Sequence, residues 1–220
     1  MKDYAPQIQR IKEKLQQAKE FDELYKVFGA GNHRYQINDP IRISDIEAFE
    51  KNYGVELPNC YKSFLLNIGN GGRSYLSSGA GPFFGIYPFG HHIDDLIQGK
   101  VKLYLKNNSV LHPNITQTAW DKKLEPLYED DISDEDYEEL NGNLYGGILP
   151  IGSQGCSFIH ALVLNGPYKG MIINLDRGEL SPPKFCEDNH FLDWYERWLD
   201  EIISGKLITT SPSWFGYPKG

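Results

Sequence analysis

The chain has 220 residues, with 22 Lys plus Arg against 30 Asp plus Glu and a formal net charge of −8. That length suits one domain burying roughly 70% of its unfolded surface, and 14 Tyr, 11 Phe and 4 Trp supply bulky core material that argues against wholesale disorder. The acidic balance disfavours nucleic acid, no run of 18 apolar residues offers a membrane span, and Cys60, Cys156 and Cys186 form neither a disulfide framework nor a CxxC metal knuckle.

Residues 4–28 predict an amphipathic helix, because Ile8, Ile11, Leu15, Ala18, Phe21, Leu24 and Phe28 recur at spacings of three and four. Gly29 and Gly31 are its expected stop. The start of the chain lacks the apolar core of a secretory signal, so the cytoplasm is the expected compartment. A second helix is expected from Ser44 to about Tyr53, with Ser44 and Glu47 as a capping box and Gly54 as terminator. A third follows Leu57-Pro58-Asn59, with Asn59 as cap, Tyr61, Phe64, Leu65 and Ile68 on its buried face, and Asn70-Gly71-Gly72 at its exit.

Phe49-Glu50, Gly54-x-x-Leu57-Pro58, Tyr61, Phe64-Leu65 and Asn70-Gly71-Gly72 together resemble the opening signature of the SUKH superfamily. That superfamily includes fungal cell-wall synthesis regulators and bacterial immunity proteins that neutralise secreted toxins. Ile148-Leu149-Pro150-Ile151-Gly152 and Gly155 are similar to its central strand and glycine turn, and Phe191-Leu192-Asp193-Trp194-Tyr195 to its closing helix. The likeness is close over 43–72 and looser over 148–203; it departs at Gly155-Cys156-Ser157, and 100–145 reads as an insertion. The resemblance implies a non-enzymatic domain that binds a protein partner, without cofactor, metal or catalytic residues.

From the residues themselves, Phe83 to Tyr87, Ile148 to Ile151, Phe158 to Leu164 and Met171 to Leu175 predict strands, and Asn189 to Ile203 a closing helix. The expected class is therefore α+β: N-terminal helices, a central antiparallel sheet and a C-terminal helix, with an acidic insertion. The expected division is an N-terminal helix over 1–31, a SUKH-like domain over 32–204, and a tail over 205–220 in which Trp214, Phe215 and Tyr217 form an aromatic strap or fray.

Four sets of residues bear on chemistry. The Asn67 to Gly72 loop follows a helix and lacks the lysine of a phosphate loop, so it reads as a turn, and Gly152-Ser153-Gln154-Gly155 lacks the first glycine of a nucleophile elbow. His91-His92 with Asp94-Asp95 is the densest ligand-type cluster, yet adjacent histidines point apart and the acids suit the start of a short helix. Cys156 and His160, four apart, would share one face of a strand as a buried thiol and a hydrogen-bonded imidazole. A metal-dependent hydrolase built on His91, His92 and Asp94 is the weakest of the functional alternatives.

The fourth set is different in kind. Residues 121–140 hold ten acids against Lys122 and Lys123, a local −8 that leaves 20 acids and 20 bases elsewhere. No glycine falls where a calcium loop needs one. This stretch reads either as a solvated acidic loop with Ser133 capping a helical turn, or as a docking surface for a basic protein. The expected partner-binding residues are Tyr128, Glu129, Asp130, Asp131, Asp134, Glu135, Asp136, Tyr137, Glu138 and Glu139, with Ile132 and Leu140 as further apolar anchors. The partner implied is a cognate toxin with a basic surface, a nuclease for example, and neither nucleic acid nor membrane. A regulatory scaffold of the cell-wall regulator type is the alternative.

Overall fold

The computed structural model describes residues 3–210; the expected aromatic strap at Trp214, Phe215 and Tyr217 lies outside them. Helix α1 (Ala5–Phe21) buries Ile8, Ile11 and Ala18. It stops seven residues short of the apolar periodicity. The cause is Asp22, whose carboxylate accepts the backbone N–H groups of Lys26 (2.7 Å) and Val27 (3.1 Å) and the Tyr35 hydroxyl (2.7 Å). An aspartate that can hydrogen-bond the following backbone competes with helix continuation. Phe21, Leu24 and Phe28 are consequently 51%, 75% and 37% exposed, and Val27 is buried in their place. Gly29 does not end α1 but precedes a single turn, α2 (Ala30–His33).

Helix α3 (Ile43–Tyr53) begins one residue before Ser44, and the expected Ser44–Glu47 capping box does not form. Asp45 does that work: its carboxylate accepts the Arg42 backbone N–H at 3.3 Å and its guanidinium at 3.0 Å. Gly54 closes the helix at φ 66°. In α4 (Asn59–Asn67) the cap is Pro58 and Asn59 is already helical, so the expected asparagine cap is also corrected. The Glu50 carboxylate instead accepts the Leu57 N–H at 2.7 Å and pairs with Lys62 at 2.8 Å, pinning the turn between the two helices.

Asn70-Gly71-Gly72 forms a clasp on residues 77–89. Asn70 Oδ1 accepts the Phe89 N–H at 2.6 Å, and the Gly72 N–H donates to the Ser77 carbonyl at 2.7 Å. A Cβ on Gly72 would sit 2.3 Å from the Ser78 carbonyl oxygen, and one on Gly79 would sit 2.0 Å from that of Gly71. Backbone meets backbone here, which only glycine permits. The strand expected over 83–87 is absent: Ile86 makes two isolated bridges, to Gly79 and Gly152. Phe83 at φ 56° and Gly85 at φ 100° break the extended backbone that a ladder needs. Asp94-Asp95 likewise starts no helix; a turn forms there, with the Ile97 N–H on the Ile93 carbonyl at 2.8 Å.

Between the clasp and the sheet run α5 (Val101–Tyr104), α6 (Gln117–Leu124), a 3₁₀ turn (Glu125–Tyr128) and α7 (Asp134–Tyr145). The sheet is an antiparallel meander of β1 (Ile148–Gly155), β2 (Phe158–Val163), β3 (Ile172–Asp176) and β4 (Lys184–Phe185), in that spatial order. β1 continues four residues beyond its expected end at Ile151, because Gly152 admits the Gly85 carbonyl to 2.5 Å of where its Cβ would be. Pro150 is tolerated in β1 because that strand is an edge. Helix α8 (Phe191–Ile203) is buried at Trp194, Tyr195 and Trp198, and Phe64 of α4 packs edge-on against its Phe191 (4.9 Å) and Tyr195 (4.8 Å). The short α9 (Lys206–Thr209) follows, with Leu207 buried. Helices at both ends of an antiparallel sheet make the domain α+β.

A polar hub joins α1 to α8. The Glu196 carboxylate accepts Gln7 (3.0 Å), Arg10 (2.9 Å) and Lys14 (2.9 Å). Burial pushes this carboxyl up, but those donors hold it down at about 2.

Candidate protein-binding face

The acidic stretch is largely helical, with a non-helical turn over 129–133 between the 3₁₀ turn and α7. Ser133 Oγ accepts the Asp136 N–H at 3.1 Å, so serine caps α7 and Asp134, Glu135 and Asp136 occupy its first turn. Carboxylates at a helix N-terminus meet the positive end of its dipole, so these acids favour the helix that displays them. The inner side of α7 buries Asn141, Leu144 and Tyr145; Tyr137, Glu138 and Leu140 are half-buried. Glu129, Asp130, Asp131, Asp134, Glu135, Asp136 and Glu139 are exposed.

A groove of about 380 Å³ runs beside this helix, lined by Pro126, Ile132 and Leu140 and by the carboxylates of Glu129, Asp131, Asp136 and Glu139. Glu135 pairs with Lys100 at 3.7 Å, and among the described residues no ion pair reaches the other acids of 129–139. Tyr128 is 65% exposed, and its hydroxyl donates to Glu179. That hydrogen bond, with some burial, pushes the phenol up to about 12. Of the ten expected residues, Tyr128 ends the 3₁₀ turn, Glu129, Asp130 and Asp131 lie in the turn that follows it, and Asp134 to Glu139 lie on α7.

Glu179 itself carries no sequence signal. It lies in the turn after β3 at φ 60°, and its backbone carbonyl accepts the Trp120 indole N–H at 3.1 Å. Its second carboxylate oxygen accepts the Tyr145 hydroxyl at 2.9 Å. Asp95 and Arg177 are also found beside it, 3.6 Å apart.

The other candidates resolve into structural roles. His92 Nδ1 lies 2.9 Å from Asp95 and its ring packs on Tyr87, while His91 is exposed. Among the described residues no three His, Cys, Asp or Glu side chains converge as a metal site. Cys156 and His160 do not share a face. Cys156 is exposed at φ 51° in the β1–β2 turn, because the hairpin closes there, whereas His160 is wholly buried. The His160 Nδ1 lies 2.9 Å from Asn174 Oδ1, an atom that only accepts, so Nδ1 carries the proton. Burial then lowers this imidazole to about 3. Ser153 lies within β1, where its hydroxyl accepts the Gly155 N–H at 3.0 Å, and not on a nucleophile elbow. The eleven motif residues from Phe49 to Gly72 serve the clasp and core: Phe49 packs on Phe89 at 4.5 Å, and Leu57, Tyr61, Phe64 and Leu65 are buried.

An antiparallel meander held between helices, with an Asn-Gly-Gly clasp and no assembled nucleophile or metal set among the described residues, defines a class of small α+β domain. The SMI1 / KNR4 family (SUKH-1) matches residues 40–197, and the chain belongs to that family. Helix α1 precedes the matched span. Neither the curated proteins nor the solved structures searched give a match to this chain.

Proposed function

We propose that this protein is a non-catalytic binding domain acting in the cytoplasm as an immunity protein, occluding a cognate toxin through the α7 face. The observation that carries the reading is the row of exposed carboxylates on 129–139, of which only Glu135 has an ion-pair partner among the described residues, beside a groove that Pro126, Ile132 and Leu140 help to line. Unpaired carboxylates on a rigid helix raise the encounter rate with a basic surface, and Ile132 and Leu140 give contact area that charge alone lacks. A toxin that binds a polyanion presents such a surface.

The test is co-expression with the toxin encoded beside this gene, scored as rescue of growth. Rescue supports immunity; no protection, with no neighbouring toxin, favours the regulatory-scaffold role. Converting Asp130, Asp131 and Asp134 to Asn together with Glu135→Gln and Asp136→Asn should slow association at low salt by about tenfold or more. An unchanged association rate removes the acidic face from the mechanism while leaving the immunity role standing.

A further inference from the structure

We infer that the pocket around Glu179 receives one lysine ammonium from the bound partner, an inference that rests on the protein-binding reading above. The pocket is about 140 Å³. Cofactor sites are roughly 300–1,000 Å³, so this space suits the end of a side chain instead. It is lined by Tyr128, Tyr137 and Tyr145 and by Asp95, Arg177 and Glu179.

The charges in that set leave one negative charge over. Arg177 stands 3.6 Å from Asp95, and among the described residues no cation pairs with Glu179. Its two oxygens are occupied only by phenol donors, Tyr145 on Oε1 and Tyr128 on Oε2. The hydrogen bond to Glu179 pushes the Tyr128 phenol upward, and burial followed by Glu179 does the same for that of Tyr145. Three tyrosine side chains and a carboxylate without a cationic partner among the described residues supply the aromatic lining and the net charge that attract a cation.

Lysine fits better than arginine. A guanidinium binds a carboxylate through two parallel bonds, one to each oxygen, and each Glu179 oxygen already accepts one phenol. An ammonium is a point charge that needs one free lone pair and an aromatic wall. The position suits a partner's anchor as well, since Tyr128 is 65% exposed at the point where the pocket meets the acidic face.

The test titrates the full chain, with tyrosine rings isotopically labelled, with Nα-acetyl-lysine methylamide, followed by NMR. The arginine and norleucine analogues are the comparison arms. Saturable shifts at Tyr128, Tyr137 and Tyr145 with lysine, about threefold weaker with arginine and absent with norleucine, are expected. Glu179→Gln should weaken lysine binding about fivefold. Should that variant fail to fold, two others decide: Tyr128→Phe should stay within about twofold and Tyr128→Ala should lose about threefold. Shifts that do not saturate, equal binding of norleucine, or binding unaffected by Glu179→Gln or by Tyr128→Ala would overturn the inference. The titration contains no partner, so it can fail while growth rescue still depends on the acidic face, and the converse also holds.

Discussion

The clasp over 70–89 and the acidic face over 128–140 use opposite physics. In the clasp, backbone presses on backbone: Gly72 and Gly79 leave no room for a methyl group, and the part-buried Phe89 N–H is satisfied by one side-chain oxygen of Asn70. On the acidic face most carboxylates of 129–139 are exposed, and among the described residues only Glu135 is in an ion pair. The first region can hardly change without loss of the fold, whereas the second can change its charge freely.

The sharpest way to break the comparison is acid. His33 and His160 both lie on Phe83, beneath the clasp half, and burial lowers them to about 4 and about 3. An unfolded histidine titrates near 6.5, so the unfolded chain takes up protons first. Stability is then full above pH 6.5, falls as the pH drops, and levels off below the folded values. At pH 5 each histidine should cost about 2 kcal/mol, or about 4 kcal/mol together, relative to pH 7. Denaturant melts at the two values measure this, and a flat profile would contradict the buried, neutral assignment.

Next in size is Gly79→Ala, which must displace the Gly71 carbonyl from 2.0 Å. A destabilisation of about 3 kcal/mol is expected, read as a shift in the urea midpoint at constant slope. A loss under 1 kcal/mol would mean that the clasp yields without strain. The smallest effect belongs to the other region: the five-residue amide substitution on 130–136 should cost about 1 kcal/mol, the dipole interaction of the three carboxylates in the first turn of α7. A larger loss would tie the acids to the fold and blur the division between the two regions.

Much of the clasp region was legible in the sequence because its constraints are local. Glycine at a close approach, apolar residues at helical spacing and the Leu57-Pro58 turn all leave marks in one dimension. The failures occurred where a side chain overrode the pattern. Asp22 ended α1 against an unbroken apolar period, Asp45 displaced Ser44 as the helix-start partner, and positive φ at Phe83 turned an expected strand into a bend. The spacing of four between Cys156 and His160 matches one strand face, but the β1–β2 turn falls at Cys156. The acidic face was legible as charge, and Ser133 as a cap, but its geometry was not. Glu179 lies 51 residues from Tyr128 in the chain, and nothing in either neighbourhood announces the other.

The hub on Glu196 has a consequence for how the molecule is made. Gln7 and Glu196 are separated by 189 residues, so α1 leaves the ribosome long before its partner helix exists. The β1–β2–β3 meander, by contrast, pairs residues close in sequence and is free to zip as it emerges. Until α8 emerges, α1 has chiefly α4 to pack on, so its apolar face is incompletely covered during synthesis. A helix translated early is among the last to dock.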